Sequence, residues 1–307
     1  MNPGGKKILW VFAFLVVTFT GDRIGGALLE SIVSQSKFRF SRLYRGEAGC
    51  DLLFMGNSRG LIFYQPYIEE KTGLQTCNLS YNAMPMSLAT VLLEDYLDNN
   101  KAPRKLILDI SMLDTRMDEN LSTGFNCYTP YSARLRNFLK ARFPKAYYGG
   151  RVSHLYRYNN EVFQRALFYW KKSDKDWLLD RVITPTLQER VKEEGPFLFN
   201  FTDEMLADLK AVVDTYREKG VEVALVVNPY YPPFAKKIAN LDELIAAIEK
   251  ATGLTVHNYA DSIAGTEGFG DYQHLNKTGS RQYLDLLIKD GILPVSDSFG
   301  FSEGGEH

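Results

Sequence analysis

The chain has 307 residues, enough for one large domain or two small ones around a buried core. Apolar residues make up 45% and charged residues 24%, which excludes disorder over most of the length. A formal net charge of −1 excludes a broad nucleic-acid surface, because such a surface needs clustered Lys and Arg against phosphates.

Lys6 and Lys7 precede an unbroken apolar stretch, residues 8–20, which Gly21-Asp22-Arg23 closes. As a helix, residues 8–21 would be about 21 Å long at about 1.5 Å per residue. The hydrocarbon core of a bilayer is about 30 Å thick, so on length alone the stretch suits a signal peptide. The lack of an A-x-A-like site argues against cleavage. The reading adopted is an uncleaved membrane anchor over residues 1–23, with a cleaved signal or an interfacial helix as alternatives. Either signal places the following domain outside the cytoplasm. Arg23 can reach the interface from a short span. Cations flank both sides of the stretch, with Lys37, Arg39, Arg42 and Arg45 following it.

Residues 24–48 read as a connector, polar-faced and open to helix over 24–44, and strand and helix signals then alternate. The segment 51–55 (DLLFM) is a short apolar run of the kind found in buried parallel strands, and 75–79 is a second candidate. Residues 87–97 have helical spacing, and 105–110 (KLILDI) is a third strand. Residues 202–219 form a helix that Thr202 can cap and Gly220 can end. A strand at 221–227, a helix at 241–251, a strand at 254–257 and a helix at 277–288 follow. This alternation predicts an α/β domain over 49–294 with a parallel sheet.

Between about 115 and 201 the rhythm breaks. This aromatic and basic stretch has helical patterns at 160–171 and 176–194 and is read as a helical insertion. Its aromatics could form a lid or a sugar-binding wall, or simply the insertion's own small core. Residues 295–307 are expected to be a disordered tail. Cys50, Cys77 and Cys127 lack C-x-x-C or metal-ligand spacing and are read as small buried hydrophobes. No metal and no organic cofactor is implied.

Two short segments carry chemistry. The first is Gly56-Asn57-Ser58-Arg59-Gly60, directly after the first strand. The second is Asp271-Tyr272-Gln273-His274-Leu275-Asn276-Lys277-Thr278-Gly279, directly before the last helix. A serine hydroxyl needs a base to become a nucleophile, and the base works best when a carboxylate orients it. Asp and His three residues apart in a turn can meet, and the carboxyl edge of an open α/β sheet is where ligands bind. Alone, a Gly-bounded serine is more often a cap or turn residue. His274 is the best base available, because His154 lies in the insertion, His257 in a strand and His307 in the tail.

These residues resemble those of the SGNH (GDSL-like) hydrolases. Gly56-Asn57-Ser58 is similar to the nucleophile block of that family, and D-x-x-H-L-N-x-x-G over 271–279 closely resembles its C-terminal block. The resemblance covers about 49–110 and 202–287, not the tether or the insertion. It implies a three-layer flavodoxin-like parallel sheet, with Ser58 as nucleophile, His274 as base and Asp271 as orienting acid. It also implies an oxyanion hole built from the Ser58 N–H, a glycine after the second strand and an asparagine after the third. Here Asn82 or Ala83 stands where the glycine is expected. The segment Ser111-Met112-Leu113-Asp114 brings no asparagine, which leaves the Asn82 side chain or Ser111 to compensate. Losing one such donor costs about 3 kcal/mol of transition-state stabilisation. Residues 56–60 also satisfy G-x-S-x-G, the elbow of α/β-hydrolases, but only one strand precedes them here, whereas the elbow follows several.

Divergent membrane-linked members that modify extracellular polysaccharides resemble this tethered architecture. The expected function is therefore a serine esterase or O-acyltransferase acting on acyl esters, acetyl foremost, of a cell-surface or exported polysaccharide. The alternative is a non-catalytic scaffold that binds polysaccharide or a membrane acyltransferase partner. A lipase-like enzyme, which needs a wide apolar cleft, is a third reading. No nucleic-acid partner is expected.

Overall fold

Apolar runs bounded by turn residues become the strands β1 (Leu52–Met55), β2 (Thr76–Asn78), β3 (Lys105–Asp109), β4 (Glu222–Val227) and β5 (Val256–Asn258). The structure, a computed structural model, describes residues 3–114 and 119–296. In the first half of the chain the helices are α1 (Pro3–Gln35), α2 (Arg39–Tyr44), α3 (Gln65–Thr72), α4 (Met86–Asn99), α5 (Glu119–Gly124), α6 (Ala133–Arg142) and α7 (Pro144–Val152). They continue with α8 (Glu161–Phe168), α9 (Pro185–Glu193), α10 (Asp203–Glu218), α11 (Pro232–Ala235), α12 (Leu241–Thr252) and α13 (Lys277–Lys289).

The described residues fall into two compact units. One contains residues 46–114 and 174–296 and is built on a single parallel sheet in the order β2-β1-β3-β4-β5. β1 and β3 are buried along their whole length, as strands covered on both faces must be. The winding direction reverses between β1 and β3, since β2 lies on one side of β1 and all later strands on the other. Right-handed crossovers then put α3 on one face and α4, α10 and α12 on the opposite face. The contacts agree: α10 packs on both α4 and α12, while α13 packs on α3. The result is an α/β unit with helices on both faces of its sheet. Apart from the helix expected at 176–194, each strand and helix expected from the sequence in this unit is present within a residue or two of its expected bounds.

The other unit contains residues 3–45 and 119–173 and is wholly helical. Two expectations need correction here. The apolar stretch ends at Gly21-Asp22-Arg23, but the helix does not: α1 runs on to Gln35 and is long and apolar enough to cross a membrane. Nor is 24–48 only a connector. Phe38 and Phe40 are fully buried. Phe38 stacks on Tyr169 with ring centres 5.9 Å apart, and Phe40 meets Phe125 edge-on at 4.8 Å. The Ser41 hydroxyl lies 2.8 Å from the Tyr128 hydroxyl. Much of the insertion's aromatic content, including Phe125, Tyr128, Tyr158, Phe163 and Tyr169, is thus core.

The expected insertion at 115–201 is shared between the units, and its first residues, 115–118, lie outside the described residues. The helix expected at 176–194 begins only at Pro185. Proline forces the residue before it out of the helical region, and Thr184 is extended, with its side chain capping α9. Residues 176–184 instead run alongside the last loop of the sheet unit, where Leu179 bridges Asn276 and the Ile183 N–H bonds the Phe269 carbonyl at 2.7 Å. Of the expected tail, residues 297–307 lie outside the described residues.

Thr202 caps α10 by accepting from the Met205 N–H at 3.3 Å. Thr202→Ala should lower stability by about 1 kcal/mol in urea unfolding and Thr202→Ser by much less. Equal losses in the two variants would mean that the methyl group, not the cap, matters.

Candidate active site

Ser58 opens the turn that follows β1, at the carboxyl edge of the sheet beside the reversal in strand order. The turn Ser58–Ile62 is capped by Asn57, whose side-chain oxygen accepts from the Arg59 N–H at 3.0 Å. Its tightness requires glycine: a Cβ on Gly60 would lie 2.3 Å from Ser80 Oγ. Asn57 is held in turn by Ser111, which donates its hydroxyl to Asn57 Oδ1 at 3.0 Å or to Asp109 Oδ2 at 2.6 Å and accepts Asn57 Nδ2–H at its carbonyl at 3.1 Å.

Asp271 and His274 lie in the loop before α13. Asn276 is the hub of that loop. Its Oδ1 accepts from the Thr278 and Gly279 N–H groups at 3.0 and 3.1 Å, and its Nδ2 donates to the Glu267 carbonyl at 2.7 Å. A Cβ at Gly279 would sit 2.0 Å from the Gly268 carbonyl oxygen, so the helix start can press on the Thr266–Gly268 turn only with glycine there. The L-N-x-x-G portion of the segment is therefore a clamp on the loop that carries the histidine.

The two segments meet. Ser58 Oγ lies 2.8 Å from His274 Nε2, and His274 Nδ1 lies 2.9 and 3.1 Å from the two Asp271 carboxylate oxygens. Asp271 Oδ1 also accepts from the Gln273 and His274 backbone N–H groups, each at 2.9 Å. Arg181 approaches Oδ2 at 3.4 Å. Burial alone pushes the Asp271 carboxyl up. The hydrogen bond and charge of His274, with the two backbone N–H groups, more than offset this and hold it below the usual carboxylate range. A carboxylate only accepts, so it selects the Nδ1–H tautomer of His274 and turns the Nε2 lone pair toward Ser58. Ser58 and His274 are both partly exposed.

Ser58 occupies the first position of its helical turn, where a backbone N–H has no intrahelical acceptor. Among the described residues that N–H makes no backbone hydrogen bond, and neither do those of Asn82 and Ala83. The last two are exposed in the turn 81–84, which the Met84 N–H closes onto the Tyr81 carbonyl at 3.2 Å. Ala83 has φ +53°, the one non-glycine positive φ among the described residues. It adopts the backbone that a glycine takes freely, at a cost of about 1–2 kcal/mol. Ser111 has a different task from the oxyanion donation considered for it. It is buried, its hydroxyl is engaged by Asp109 and Asn57, and its N–H goes to Asp109 Oδ1 at 3.1 Å. His154 and His257 lie outside this cluster, and His307 lies outside the described residues.

Several contributors went unnoticed in the sequence. Arg59 is nearly fully buried, with its guanidinium over the Tyr230 ring at 3.2 Å and bonded to the Asn228 and Pro229 carbonyls. A charged residue between Ser58 and Gly60 in a buried turn was the available signal. Arg181 carries no such signal, because the apolar spacing around it suggests a helix where the chain is extended. No protein-family model matches the chain, and no curated protein matches it.

Ala83→Gly should relieve the left-handed strain and raise stability by about 0.5–1 kcal/mol, measured by urea unfolding. A loss of stability would mean that the Ala83 methyl group packs usefully. Because the folded-state affinity of Asp271 for protons is depressed, its contribution is present above the ordinary carboxylate range and is lost as pH falls through and below it. The stability gap between wild type and Asp271→Asn should be widest near neutrality and narrow below about pH 4. A gap that does not change with pH would overturn this assignment.

Proposed function

We propose that the chain is a membrane-anchored serine esterase or O-acyltransferase of the SGNH type, acting on acyl esters of a cell-surface or exported polysaccharide. The observation that carries this reading is the unbroken hydrogen-bonded chain from Ser58 Oγ through the His274 ring to the Asp271 carboxylate, at the carboxyl edge of a parallel sheet. The strand order 2-1-3-4-5 supports it, being that of flavodoxin-like sheets. The apolar α1 supports the anchor.

In this reading Ser58 Oγ attacks the ester carbonyl while His274 Nε2 takes its proton. The oxyanion of the tetrahedral intermediate is met by the Ser58 N–H and by the open N–H of Asn82 or Ala83. Collapse breaks the bond to the sugar oxygen, which takes the proton from His274 and leaves as a hydroxyl, while the acyl group stays on Ser58. Water then releases it as the free acid, or a second hydroxyl accepts it as a new ester. An acylated glycan or a membrane acyltransferase partner would supply the acyl group.

A second reading, a non-catalytic scaffold for polysaccharide or for that partner, is favoured by one observation. The third-strand position offers no free donor, because Ser111 is buried and engaged. A fluorophosphonate probe separates the two, since Ser58 Oγ would displace fluoride from phosphorus only if His274 activates it. Full-length wild type should label, and Ser58→Ala and His274→Ala should not. Asp271→Asn should label roughly 10³–10⁴-fold more slowly, with its histidine in the wrong tautomer. Equal labelling of wild type and Ser58→Ala would sink the nucleophile assignment, and absent labelling of folded wild type would favour the scaffold.

A further inference from the structure

The helical unit holds a cavity of about 260 Å³ that plays no part in the serine site. Its wall includes Arg136, Arg151, Arg157, His154, Asn126 and Thr129, and none of its lining residues is acidic. Arg157 is more than nine-tenths buried, with its Nε bonded to the Gly150 carbonyl at 2.8 Å. Arg136 donates to the Thr129 carbonyl at 3.0 Å. Among the described residues none of the three guanidiniums has a carboxylate partner. Arg151 is exposed and Arg136 partly so, and water solvates their charges, whereas Arg157 is desolvated beside them without a carboxylate, which is costly unless an anion enters. The surroundings repeat the pattern, because residues 133–160 contain Arg and Lys but no Asp or Glu. Burial and the nearby Arg157 and Arg23 charges depress the proton affinity of His154, with Asp22 and Glu30 acting against them.

The position of the cavity narrows the choice of anion. His154 packs directly on α1, where a Cβ at Gly26 would lie 2.4 Å from its own Cβ. Asp22 accepts from the His154 N–H at 2.8 Å and from the Ser153 hydroxyl at 2.5 Å, and Arg23 bonds the Val152 carbonyl at 3.0 Å. The apolar stretch of α1 thus ends where the cavity wall is fastened. Around that corner Tyr148, Val152, Leu155 and Tyr156 are exposed, an apolar and aromatic rim of the kind that sits at membrane interfaces. The cavity is smaller than the roughly 300–1,000 Å³ of organic-ligand pockets, which suits a headgroup better than a glycan.

We propose that this cavity binds the phosphate of an anionic phospholipid headgroup at the membrane surface, through forked contacts from Arg136, Arg151 and Arg157. The proposal rests on the anchoring of α1 and is independent of the chemistry of Ser58. To test it, the full-length chain in neutral detergent is offered equal amounts of phosphatidylglycerol and phosphatidylcholine, and retained lipid is counted by native mass spectrometry. Wild type should retain the anionic lipid selectively. Arg136→Gln/Arg151→Gln should lose about tenfold or more of that selectivity, since charge-assisted hydrogen bonds are removed. The surface pair Lys140→Gln/Lys145→Gln should change it by less than about twofold. Equal retention of both lipids, or an equal loss in the lysine control, would overturn the proposal. Flotation with neutral phosphatidylcholine vesicles tests the anchor separately: a chain that fails to float sinks the anchor and this proposal with it, whereas floating without selectivity sinks the proposal alone.

Discussion

A carboxyl group buried at the end of the central strand organises the edge of the sheet where Ser58 lies. Asp109 closes β3 with no exposed surface. Burial pushes its carboxyl up, and the nearby Arg59 charge, Ser111 and Asn228 act against that. Each of these partners belongs to a different connection. Arg59 comes from the turn after β1, Ser111 follows β3, and Asn228 follows β4 and accepts from the Tyr283 hydroxyl of α13 at 2.8 Å. A buried polar group left without partners costs about 1–3 kcal/mol, and a charged one more, so satisfying Asp109 ties four chain segments to one arrangement. Ser58 stands between two members of that network, Asn57 and Arg59.

The histidine side is fixed independently. Asn276 spends both halves of its amide on holding the loop, and Gly279 lets the helix start press on the Thr266–Gly268 turn. The Ser58–His274 bond therefore joins two supports that are each rigid for their own reasons, across 216 residues of sequence. Such preorganisation is what the proposed roles of Ser58 and His274 require, because small errors in the separation of a nucleophile and its base cost rate steeply. The strained residue in the neighbourhood, Ala83, is exposed on a turn whose first residue, Tyr81, bonds the Gly56 carbonyl at 3.1 Å.

Most of the α/β unit was legible in the sequence. Strands buried on both faces must be short and apolar, and amphipathic helices must alternate with them, so their pattern survives in one dimension. The insertion was less legible. Its aromatics could be assigned to a core or to a surface only once Phe38 and Phe40, from outside it, were seen to complete that core. Residues 176–184 misled because apolar residues at helical spacing also suit an extended segment laid against another loop. Pro185 marked the true start of the helix.

By itself the sequence determined the strands, the apolar stretch of α1, and the candidacy of Ser58, Asp271 and His274, since these follow from local pattern and residue type. It could not determine that they meet. That depended on the reversal of strand order between β1 and β3 and on two clamped loops, which are long-range consequences of packing. The task of Ser111 was likewise decided only by the fold, because a hydroxyl serves whichever buried acceptor lies nearest. The same holds for the basic cavity. A run of Arg and Lys without acids is visible in one dimension, but whether the charges spread into solvent or converge on one space depends on how α6, α7 and the turn Leu155–Tyr158 pack against α1.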